Sequence, residues 1–94
     1  MATFFMAMTI NATARKEHPD ISHYVSDSLE VFTKNNIHGV QIFATLGRYD
    51  YIAIFDAPDQ SVAFKVASEI ISRGVLETET WPVIPYEDFS ALLG

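Results

Sequence analysis

Ninety-four residues with a formal charge of −6, 49% hydrophobic and 13% aromatic, suffice for one domain over 1–94 whose core alone leaves a thin stability margin. The six basic residues (Arg15, Lys16, Lys34, Arg48, Lys65, Arg73) are scattered in an acidic chain, which argues against nucleic acid and against anionic membrane as partners. The absence of cysteine excludes disulfides, thiolate chemistry and cysteine-ligated metals, and a cytoplasmic location is expected.

The opening MATFFMAMTI has no basic segment ahead of it and is too short to span a bilayer, so residues 3–10 are predicted to be a strand. Polar NATARKEHPD follows and reads as a long connection; its Asn11-Ala12-Thr13 triplet is expected to match a glycosylation acceptor by chance. From Ile21 the apolar residues Ile21, Tyr24, Val25, Leu29 and Phe32 recur at spacings of three and four, as one face of a helix requires. Pro19-Asp20 suits its start and Asn35-Asn36 its end.

Residues 40–46 and 50–57 are predicted strands joined by a tight connection through Gly47. A second amphipathic helix carries Val62, Ala63, Val66, Ala67, Ile70 and Ile71 and closes at Arg73-Gly74, a cation and a glycine placed as a helix C-terminus favours. Residues 75–81 form the fourth predicted strand, stopped by Pro82 and Pro85, and a short extension from about 82 places Tyr86, Phe89 and Leu93 on one helical face. The order βαββαβ predicts an α+β, ferredoxin-like fold, a four-stranded antiparallel sheet with two helices on one face.

Side chains alternate across a sheet, so hairpin length decides which residues share a face. An even connection opposes Leu46 to Tyr49, Ala44 to Tyr51, Ile42 to Ala53 and Val40 to Phe55, a wholly apolar set that turns both tyrosines inward. An odd one would mix Asp50 and Asp56 with the aliphatics, so the even connection is expected. The opposite face still carries Phe43, Ile52 and Ile54 between polar ends, and the first strand likewise has bulky groups on both sides. Two helices cover one side of such a sheet only. The apolar remainder predicts a homodimer through the sheet face, open to larger assemblies through its edges.

The run LGRYDYIAIFDAPD, residues 46–59, followed by a helix and by Thr78-Glu79-Thr80, resembles the GYD-domain family of small bacterial and archaeal proteins across nearly the whole chain. The resemblance implies a ferredoxin-like subunit in a dimeric α/β barrel and brings no assigned activity. The chain departs from the usual family pattern in its long polar connection and in Trp81, which would reshape any shared pocket.

Candidate catalytic residues are Asp50, Tyr51 and His38, with Asp50 as a general base if the interior were dry. The plainer role for Asp50 is a turn residue accepting backbone N–H groups. Tyr49, Tyr51, Trp81 and Glu79 are candidate ligand-binding residues; the tyrosines serve equally as core aromatics. Glu77 and Glu79 fall on one strand face with Trp81, as an acid/base pocket or as charges guarding a sheet edge. His18, His23 and His38 lack metal-ligand spacing, so no metal is expected, and with no phosphate loop or dinucleotide fingerprint no cofactor is expected either. RNA-recognition domains share the element order, but the basic and glycine positions before Tyr49 and Tyr51 are missing.

No catalytic constellation is committed. The leading expectation is a homodimeric barrel module that binds a small apolar or aromatic molecule, or acts in sensing or assembly. The alternative, by fold analogy, is a cofactor-independent monooxygenase or isomerase.

Overall fold

Alternation in the first strand separates Phe4, Met6 and Met8, all buried, from Phe5 and Thr9, and this split organises the whole molecule. In the computed structural model, which describes residues 1–94, β1 (Ala2–Ile10), β2 (Gln41–Ala44), β3 (Tyr51–Ala57) and β4 (Leu76–Val83) form one sheet. Its order is β2-β3-β1-β4 and every pair is antiparallel. The fold is α+β and ferredoxin-like, as the element order predicts.

Two helices, α2 (Ile21–Lys34) and α3 (Gln60–Ser72), cover the Phe4 face. Val25, Val31 and Phe32 from α2 meet Ala63, Val66 and Ile70 from α3 over Phe4, Met6, Met8, Ala53 and Phe55. Phe55 sits at the centre, stacked on Phe4 at 5.7 Å and met edge-on by Phe32 at 5.1 Å. Each such large side chain contributes about 1.5–3 kcal/mol by leaving water.

The helix ends follow local chemistry. Asp59 accepts the Val62 N–H at 3.1 Å and starts α3, whereas Gly74, at φ +76°, ends it in a conformation that favours glycine. Asn36 does the same after α2 at φ 62°. Arg73 ties the two helices by meeting the Asp27 carboxylate at 3.2 Å.

The structure departs from expectation in three places. The polar connection after β1 contains a helix, α1 (Ala12–Glu17), started by Asn11, whose Oδ1 accepts the N–H groups of Thr13 and Ala14 at 3.0 and 3.1 Å. It buries Ala14 alone, so no apolar stripe betrays it. Strand β4 continues through Pro82 to Val83, which an edge position permits because the missing donor costs no ladder bond there.

The third departure concerns the hairpin. Its register pairs Ile42 with Ala53 and Ala44 with Tyr51, as an even connection requires, and Thr45 N–H reaches the Asp50 carbonyl at 2.9 Å. Beyond that bond the chain leaves strand geometry, and alternation no longer governs residues 46–49. Leu46 is fully exposed, and Tyr49 turns to the opposite face instead of joining Tyr51.

No helix covers that opposite face. It presents Phe43, Ile52, Ile54, Phe5 and Trp81, with Phe43 49% and Trp81 39% exposed, and Trp81 packs on Phe5 at 5.2 Å. After β4, α4 (Tyr86–Leu92) forms as predicted but buries no residue.

Candidate functional site

The polar candidates named by the sequence occupy three separate places. Asp50 lies where β1 and the hairpin diverge. Its N–H donates to the Met8 carbonyl at 2.9 Å, its carbonyl accepts from Thr45, and its carboxylate accepts the Ile10 N–H at 2.8 Å. Arg15 of α1 approaches the same carboxylate at 3.8 Å. Every oxygen of Asp50 therefore serves the backbone or a surface cation, the plainer of its two expected roles.

Tyr51 lies on the helix-covered face, packed against the core beside Met8. His38 is exposed in the loop before β2, which pairs with the far end of β3. Asp50, Tyr51 and His38 thus do not converge on one substrate.

Of the ligand-binding candidates, Tyr49, Glu79 and Trp81 gather on the open face, and Tyr51 lies apart from them against the core. Glu77, Glu79 and Trp81 project from one side of β4, opposite Thr9, Ala7 and Phe5. The Tyr49 hydroxyl donates to Glu79 Oε2 at 2.8 Å across a shallow hollow of about 240 Å³ that Glu77 and Thr9 also line. That hydrogen bond, followed by partial desolvation and the Glu79 charge, raises the Tyr49 pKa above its ordinary value near 10. At neutral pH the phenol is a donor and no base. Arg48, over the Tyr49 ring at 5.9 Å, pulls weakly in the other direction.

The better-formed cavity is one that the sequence reading missed. A groove of about 300 Å³ runs between α3 and β4. Phe4, Ala63 and Ala67 form its inner wall, Phe64 and Ile71 its outer rim, and Thr78 and Thr80 its strand side. Ala63 and Ala67, one helical turn apart, present no bulk to the strand, which is why α3 and β4 leave room between them. Thr80 Oγ1 is buried there without any hydrogen-bond partner. A buried hydroxyl left unpaired costs about 1–3 kcal/mol, and Gln60, Ser68 and Thr78 are the groove's other polar side chains. The available signal was an alanine pair at helical spacing facing Thr-x-Thr on a strand, which by pattern alone reads as ordinary core.

No three His, Asp or Glu side chains meet as a metal ion would need, and no helix is long and apolar enough to cross a membrane.

Comparison with known proteins agrees with this fold. The chain is 28% identical to the glutamine synthetase and cystathionine beta-lyase binding protein of Thermus thermophilus, over 99% of each chain. Among solved structures it is similar to TTHA0845, also of Thermus thermophilus (TM-score 0.62, 20% identity, 90% of this chain and 95% of that one). It is also similar to the transcriptional regulator NMB0573 of Neisseria meningitidis in complex with L-Met (TM-score 0.65, 16% identity, 90% of this chain and 51% of that one). The GYD domain model matches residues 8–93, a span that takes in the hairpin and both core helices, and the chain belongs to the GYD domain family.

Proposed function

We propose that this chain is a homodimeric α/β-barrel module that holds a small, largely apolar molecule carrying one hydrogen-bonding group in the α3–β4 groove, as a binding or sensing protein. The observation that carries this reading is the unpaired Thr80 hydroxyl at a cavity walled mainly by Phe4, Ala63, Phe64, Ala67 and Ile71, with Gln60, Ser68 and Thr78 as its other polar side chains. Apolar walls with one or two placed polar groups are the ordinary makeup of a small-molecule site, and about 300 Å³ lies at the lower end of their size range. The uncovered face with Phe43, Ile52 and Ile54 supports the dimer, since sheet-to-sheet packing removes that surface from water.

Binding is favoured over turnover because Asp50, Tyr51 and His38 stand apart and Asp50 is committed to the backbone. By name, the Thermus relative binds two enzymes and the Neisseria regulator was solved with L-Met, so both are in keeping with a binding role, one toward protein partners and one toward a small molecule. A cytoplasmic setting suits the cysteine-free chain.

Thermal-shift and native mass-spectrometric screening against free amino acids, aromatic acids and quinones tests the proposal. A ligand at a hundredfold excess over its Kd stabilises by about 2.7 kcal/mol. A hit that Thr80→Val weakens supports the groove site, and a hit indifferent to Thr80 removes it.

A further inference from the structure

We infer that residues 84–93 of one copy form an arm that closes the open side of the α3–β4 groove of a second copy, so that each binding site is completed by its partner. The functional sense of this inference rests on the groove proposed above; the docking itself does not.

The arm cannot be explained by its own subunit. Tyr86 and Leu92 are each 77% exposed, Ile84 and Leu93 are also bare, and α4 contributes nothing to the core. A seven-residue helix has little stability in water without packing. The molecule measures 52 × 28 × 18 Å with a radius of gyration of 14.4 Å, whereas a compact chain of this length needs about 12 Å. Pro85, at φ −58° immediately before α4, separates the arm from the end of β4.

The groove lacks what the arm offers. Its inner wall is complete, with Phe4 and Ala63 buried, but its rim is not: Phe64 is 67% and Ile71 48% exposed. Tyr86, Phe89 and Leu93 recur at spacings of three and four, the spacing of a helix face laid into an apolar groove. Charge agrees as well. Lys65 beside Phe64 is exposed and makes no ion pair, and the first turn of α4 carries Glu87 and Asp88. Two-fold symmetry buries both arms at once, adding to the area that the sheet faces supply toward the roughly 1,200–2,000 Å² of a stable interface.

Cross-linking tests this directly, because the chain has no other thiol. Ser68→Cys in the groove wall and Ser90→Cys on the arm are near-isosteric and spare the apolar contacts. The two single variants are mixed, allowed to exchange subunits, treated with a short bismaleimide and analysed by denaturing gel and peptide mass spectrometry. The expected product is a covalent dimer joining the two introduced thiols. Linkage within one chain in the double variant overturns the inference. So does absence of linkage while sedimentation still shows a dimer, an outcome that leaves the sheet-face dimer standing. A monomer by sedimentation, without linkage, removes both.

Discussion

The carboxylate of Asp50 accepts the Ile10 N–H at 2.8 Å, joining the end of β1 to the tip of a hairpin forty residues away in sequence. The bond stands where the β1–β3 ladder opens, so the side chain replaces a backbone acceptor at the point where the strands part. Asp50→Ala leaves that N–H unpaired and strips Arg15 of its partner, with an expected loss of about 1–3 kcal/mol. Asp50→Asn keeps an acceptor oxygen and should lose less than half as much. Urea denaturation of the three proteins checks the order. Equal stability of Asp50→Ala and wild type would show that the bond is dispensable.

What the sequence made legible was whatever local chemistry decides. The stripe of Val25, Leu29 and Phe32, the Gly74 terminus and the parity of Ile42 against Ala53 all follow from periods of 3.6 and 2, and each stands in the structure. Alternation failed for Tyr49 because it applies only while the chain stays a strand, and the hairpin tip does not. The groove stayed hidden for a different reason. Whether Ala63 and Ala67 fill a core or leave a gap depends on how far α3 stands from β4, a distance that no pattern of residue types encodes.

Tyr49 and Glu79 give the open face a pH-dependent tie. The phenol pKa is raised in the folded chain, chiefly by the hydrogen bond to Glu79, so the neutral form is favoured. Its contribution is fully present below the unfolded value near 10 and is lost as pH rises through the folded value. Absorbance titration should therefore lose a phenol that ionises above the ordinary value near 10 in Tyr49→Phe, with the melting temperature at pH 7 scarcely moved. Disappearance of an earlier phenol instead would contradict the assigned direction.

A charge on the uncovered face tests the dimer. Ile52 lies between Ala7 and Phe43 on the side of the sheet away from both helices, so Ile52→Glu leaves the Phe4–Phe55 core alone. Desolvating an unpaired carboxylate in an interface costs about 3 kcal/mol or more, which weakens association at least about 100-fold. Sedimentation should show a folded monomer at micromolar concentration, with circular dichroism unchanged. A variant that associates like wild type would mean that the two sheet faces do not meet.

Thr80 separates the needs of the fold from those of a ligand. Valine has nearly the same shape and carries no hydroxyl, so Thr80→Val removes an orphaned polar atom from the groove. Without ligand the variant should be more stable than wild type by about 1 kcal/mol, because nothing in the chain answers that oxygen. With a groove ligand the sign reverses: the bond lost is worth about 1 kcal/mol, and affinity should fall by about five- to tenfold. Thermal melts with and without the ligand read both effects in one experiment. If Thr80→Val destabilises the free protein, the hydroxyl already has a partner in solution, and the case for a ligand at that atom fails.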